Sequence, residues 1–240
     1  MILLNLKNLY GRKLHATDGK IGHVQDFYFD DKNWTVRYVI ADTGNWLAGR
    51  QVLLSPHVFG HLDQMEKALL VNLTRNQIEN APSIELHKPV SRQYEEDYHR
   101  YYGWPCYWQG GGLWGPSAFP FLGIPGETHP LVSDTTCPPP HQLTDTHLRS
   151  ALAVDGYRLE ANDGHIGHVC GFMMDPGTWE ISRLVIKTGS WLAGHEVEMP
   201  TGKIGRISYD ESTVFVNLTS KDVEHSPAHH PVLAGAANGR

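Results

Sequence analysis

Fifteen histidines in 240 residues are the first place to look for chemistry, because imidazole titrates near neutrality and binds metals. His225, His229 and His230 lie close together, and the His225/His229 spacing matches one face of a helix. Pro227 stands between them, however, and proline breaks a regular helix. Cys106, Cys137 and Cys170 are scattered, with no Cys-x-x-Cys pair of the kind zinc sites use. No metal and no cofactor is expected. His23 and His168 each follow an Asp-Gly turn. A hydrogen bond to backbone is their plain role, and a pH-sensitive or proton-conducting one the sharper alternative. A Gly-x-Ser-x-Gly elbow, a phosphate-cradling loop and repeated paired carboxylates are all missing, so the expectation is a protein that is not an enzyme.

Two further motifs lose their chemistry in context. His165-Ile166-Gly167-His168 spells a signature of class I aminoacyl-tRNA synthetases, but here it follows a hairpin turn, and the other copy reads Lys20-Ile21-Gly22-His23. Chance explains the match. Asn72-Leu73-Thr74 and Asn217-Leu218-Thr219 are sequons, but both threonines read better as helix caps.

The elements that carry these residues form a repeat. Shifting the chain by 145 positions lays residues 11–82 on 156–227 without a gap, with 27 of 72 positions identical. Asp18-Gly19 meets Asp163-Gly164, and Ile21–Val24 meets Ile166–Val169. Trp34 meets Trp179, and Trp46-Leu47-Ala48-Gly49 meets Trp191-Leu192-Ala193-Gly194. Two long copies imply two domains, since a solenoid needs more and shorter repeats.

Within a copy the signals are short strands and tight turns. Asp18, Gly19 and Gly22, with Asp163, Gly164 and Gly167, mark structural turns, because glycine accepts the positive φ of a primed hairpin. Val24–Phe29 alternates as a strand, and Thr35–Ala41 with Glu180–Ile186 are the best central strands. Shorter strands follow near Arg50–Leu54, Ala68–Asn72, His195–Met199 and Thr213–Asn217. Thr74 with Gln77 predicts a capping box on a short closing helix. The predicted fold class is mainly β, with two small barrels in tandem, each closed by a short helix. A module of about 70 residues is marginal alone, so the copies are expected to pack on each other or on a second chain.

These residues resemble the PRC-barrel family, whose modules occur in the photosynthetic reaction centre H subunit and the ribosome-maturation factor RimM. The resemblance is carried by Asp18…Gly22-His23-Val24 and Asp163…Gly167-His168-Val169, by the Val36–Ile40 strand, and by the Gly44–Gly49 and Gly189–Gly194 loops. It implies a non-catalytic interaction and assembly module. The alternatives it raises are a peripheral subunit of a reaction-centre or electron-transfer complex and a RimM-like ribosome or RNA-processing assembly factor. A bacterial protein of the stand-alone tandem type is the nearest pattern.

Residues 83–147 share nothing with the repeats. Ser91–Tyr102 predicts a short helix capped by Ser91, with Tyr94, Tyr98, Tyr101 and Tyr102 on one stripe. Beyond it, Trp104, Trp108 and Trp114 sit among glycines and prolines, costly aromatics in an irregular segment. They are expected to tuck between the barrels or to cross to a second protomer. Pro125–Pro140 is expected to be mobile. The division is therefore 1–82, a connector at 83–147, 148–227, and a flexible tail at 228–240. Candidate partner-binding residues are Trp46, Leu47, Trp191, Leu192, Trp104, Trp108 and Trp114.

The net charge of −6 argues against direct nucleic-acid binding, which needs a dense basic footprint. No apolar run reaches the length of a membrane span. A reduced, cytoplasmic protein is expected, soluble or peripheral to the inner membrane, with a protein partner or self-association.

Overall fold

A computed structural model describes residues 3–47, 50–60, 62, 68–82, 90, 92–120, 148–189 and 194–229. In the first half, β1 (Leu4–Asn5) precedes β2 (Lys13–Ala16), β3 (Gly19–Asp30), β4 (Thr35–Asp42), β5 (Gln51–Leu54) and β6 (Ala68–Val71), then helix α1 (Arg75–Glu79). The connector carries α2 (Arg92–Tyr102). The second half holds β7 (Leu148–Ser150), α3 (Ala151–Val154), β8 (Arg158–Ala161), β9 (Gly164–Met174), β10 (Ile181–Thr188) and β11 (Glu196–Pro200). It ends with β12 (Ile204–Ser208), β13 (Thr213–Val216) and α4 (Ser220–Glu224).

One six-stranded sheet runs β5-β4-β3-β2-β6, with β7 added to β3. One seven-stranded sheet runs β11-β10-β9-β8-β13-β12, with β1 added to β9. Apart from β12, which has no counterpart strand among the described residues, the two orders correspond, including a parallel pair at β2/β6 and at β8/β13. Among the described residues these pairings do not close a ring. Both short helices carry capping boxes: Thr74 with Gln77, as its sequence predicts, and Thr219 with Asp222.

Strict alternation along Val24–Phe29 does not hold. The register shifts on β3 between Val24 and Asp26, where Gln25 is left over, and on β4 at Arg37, opposite Tyr28 and Phe29. A bulge leaves one residue unpaired and reverses the facing of those after it. Val24, Phe27 and Phe29 are thus all buried.

The seam between the halves is reciprocal. Leu4 and Asn5 pair with Met174 and Met173, while Arg149 and Ser150, their equivalents 145 residues on, pair with Phe29 and Tyr28. Thr35 bridges Glu180, its own equivalent. Val36 N donates to Trp179 O at 2.9 Å, and Ile181 N to Trp34 O at 2.6 Å. Each contact maps onto another when the halves are exchanged, the pattern of a two-fold interface. Trp34 and Trp179, at matching positions, both hold positive φ, 50° and 61°. One continuous core runs through both halves, from Leu14, Phe27 and Phe29 to Phe172, Trp179 and Val214. The marginal size of each module is offset by this shared core.

Residues 228–229 are not a free tail. Ala228 bridges Val197, and His229 N donates to Glu196 O at 2.8 Å. The mobile-segment expectation for Pro125–Pro140 and the Ser91 cap fall outside the described residues.

Candidate interaction site

The turn residues resolve into scaffolding. Asp18 Oδ1 accepts from Arg75 N at 2.8 Å, and Asp163 Oδ1 from Ser220 N at 2.8 Å, so each hairpin turn ties down the helix of its own copy. Ser220's backbone and hydroxyl bonds hold the Asp163 carboxyl below its usual range. Gly19 and Gly164 open β3 and β9. A Cβ on Gly22 would stand 1.9 Å from Asp42 O, and one on Gly167 2.1 Å from Lys187 O. Only glycine fits that approach.

His23 and His168 are exposed. His23 Nε2 lies 3.5 Å from Asp42 Oδ2, and His168 has the His165 ring 5.2 Å away. No group of three or more metal-ligating side chains comes together among the described residues.

The candidate partner-binding aromatics separate into two sets. Trp46 and Leu47 are half-buried against the core, with the Arg75 guanidinium 4.5 Å above the Trp46 ring. Their counterparts Trp191 and Leu192 lie outside the described residues. The connector tryptophans turn inward. Trp104 stacks on Tyr102 at 4.4 Å and on His57 at 5.3 Å. Trp108 packs beside Tyr107 and His99. Trp114 is 1% exposed and donates its indole N–H to Thr178 O at 2.8 Å, which joins the connector to the second half.

What positions them is α2, which covers the outer face of β4 and β5. Tyr38, Ile40, Leu53, Ala81, Val90 and Tyr98 form a second core beneath it. Tyr98 OH donates to Leu53 O at 2.6 Å and Tyr94 OH to Pro82 O at 2.8 Å, so these two tyrosines of the stripe are packing residues, while Tyr101 is 43% exposed.

Inside this contact lies a polar network. Glu95 Oε1 accepts from Tyr38 OH at 3.0 Å and from Tyr107 OH at 2.6 Å. His99 Nε2 is 3.1 Å from Tyr38 OH, and its Nδ1 is 2.9 Å from Pro105 O. A carbonyl only accepts, so Nδ1 carries a proton. A charged ring would then donate through Nε2 and leave Tyr38's single proton for Glu95. Burial, with the Glu95 charge second, raises Tyr38 well above the usual phenol range. Arg37, 1% exposed, donates to Leu113 O and Asp30 Oδ2 and lies 3.9 Å from the Tyr107 ring centre. Burial, helped by the His99 and Arg37 charges, pushes His57 down to about 3, so it stays neutral, with Nδ1 2.8 Å from Ser55 Oγ.

Residues 1–78 match the family model of the PRC-barrel domain. The N-terminal module is a PRC-barrel domain. The match covers the turn, strand and helix elements just described and stops before α2. The PRC barrel is a non-catalytic, interaction-type domain. No curated protein matches the chain. Among the described residues no helix is long and apolar enough to cross a membrane.

Copy two carries a smaller polar group on the equivalent strands. Glu198 accepts from Arg183 Nη1 at 2.7 Å and lies 2.8 Å from His229 Nδ1. Burial alone would raise Glu198, but the His229 and Arg183 hydrogen bonds outweigh it and lower its pKa. Cys106 is buried and disulfide-bonded. Cys170 is a free thiol, pushed up to about 12 by burial first and the Glu196 charge second.

Proposed function

We propose that the chain is a non-catalytic assembly module that holds protein segments on its strand edges and sheet faces. The carrying observation is what its own modules already hold: β1 lies on β9, β7 lies on β3, α2 covers Tyr38 and Leu53, and residues 227–229 run beside β11. Edge pairing supplies affinity through main-chain hydrogen bonds, and the face supplies selectivity through side chains. Trp46 and Leu47 are the proposed contact residues of the first module, because they keep part of their apolar surface in solvent. The test is native co-purification with cross-linking of the full chain, followed by sedimentation. The expected outcome is a protein partner in fixed ratio or a defined oligomer. A monomer that retains no protein sinks the reading.

A further inference from the structure

The two copies differ at position 50/195 in a way that leaves a site open. In copy one Thr43 Oγ1 donates to Arg50 O at 2.7 Å, and in copy two Thr188 Oγ1 donates to His195 O at 3.1 Å. Both side chains therefore leave from an equally anchored backbone. Arg50 runs to the end of α1, where Nη1 donates to Glu79 O at 3.0 Å and Nη2 to Ala81 O at 2.7 Å. The last carbonyls of a helix have no intrahelical partner, and cationic side chains commonly satisfy them.

The equivalents of Glu79 and Ala81 are Glu224 and Ser226 at the end of α4. Among the described residues the His195 side chain makes no hydrogen bond to either. In place of the guanidinium there is a cleft of about 550 Å³. Its walls include Thr188, His195, Glu196, Glu224, Ser226 and His229. The Glu196 and Glu224 carboxylates have no ion pair among the described residues, and His229 is held by Glu198 through Nδ1.

We propose that this cleft takes a guanidinium group, the arginine side chain of a partner protein, where copy one places its own Arg50. The proposal rests on the assembly-module reading and gives that partner its chemistry. A planar fork of donors suits two carbonyl acceptors two residues apart, which a point ammonium does not match. Two carboxylates on the rim and a chain of net charge −6 favour a cation over an anion.

The test titrates the full chain at pH 8 with N-acetyl-arginine amide, its lysine counterpart and free arginine, following backbone amide resonances. Saturable shifts at Thr188, Gly189 and Ser226 are expected with the arginine amide, about tenfold tighter than with the lysine amide. His195→Arg should refill the cleft as in copy one, abolishing those shifts and raising Tm, and Glu224→Gln should weaken binding without changing Tm. Equal binding of lysine and arginine amides, or full binding by the folded His195→Arg chain, overturns the guanidinium assignment. Free arginine binding more tightly than the amide overturns the partner side chain in favour of a small ligand. If titration fails while co-purification still recovers a partner, the cleft falls and the assembly reading stands.

Discussion

The two halves of this chain build the same strands from the same turns, yet their outer faces are opposites. In copy one the outer face of β4 and β5 carries Arg37, Tyr38 and Leu53, all within 1% of full burial. In copy two the matching positions are Ser182, Arg183 and Glu198, and the Arg183 side chain is 44% exposed. The difference follows from α2, which lies on the face of the first module; among the described residues no helix lies on the matching face of the second. Inward positions must serve the shared core and are repeated; outward ones answer to whatever covers them.

The largest expected effect tests what is common to the halves. Gly22→Val and Gly167→Val each drive a Cβ into a backbone oxygen, and each should cost more than about 4 kcal/mol. Because one core spans both copies, urea unfolding should remain a single transition for either variant. Separate transitions by fluorescence and circular dichroism would break the shared-core account.

Next in size is a test of the difference. Glu95→Ala removes the acceptor for two buried hydroxyls and should cost about 3 kcal/mol in urea melts. Glu198→Ala, in the more open group of copy two, should cost less than about 1 kcal/mol. Equal costs would mean that α2 does not seal its contact. Trp114→Phe drops the hydrogen bond to Thr178 and leaves part of the buried indole's volume empty, and about 2 kcal/mol is expected.

The smallest effect is the pH dependence. Burial alone would raise Asp30, but the Asn33 hydrogen bond and the Arg37 charge outweigh it and lower its pKa below 3.8. A carboxyl with a depressed folded-state pKa contributes stability that is complete above the unfolded value and lost as pH falls through the folded one. Asp30→Asn should therefore flatten the acid limb of the stability curve below about pH 4. Glu198→Gln should flatten it less. A larger effect from Glu198 would reverse the comparison.

The turns, caps and repeat were legible because each is local. Asp18-Gly19 spans a single hairpin turn, and Thr74 bonds a residue three positions on. The bulge after Val24 was not legible, since alternation carries no mark of a skipped pairing. Nor was the network under α2, because Glu95 and Tyr38 are 57 residues apart and neither sits in a motif. The connector aromatics showed that they needed cover without showing where.

By itself the sequence determined a duplicated β scaffold, through Asp-Gly turns and glycines repeated at matching positions and a capping box on a short closing helix. Tertiary structure alone decided that the copies exchange edge strands about a pseudo-two-fold axis, that α2 buries one face and leaves the other open, and that Arg50 fills a space its counterpart His195 does not. Those outcomes depend on which distant surfaces meet, and burial and hydrogen-bond energies are settled only once they have met.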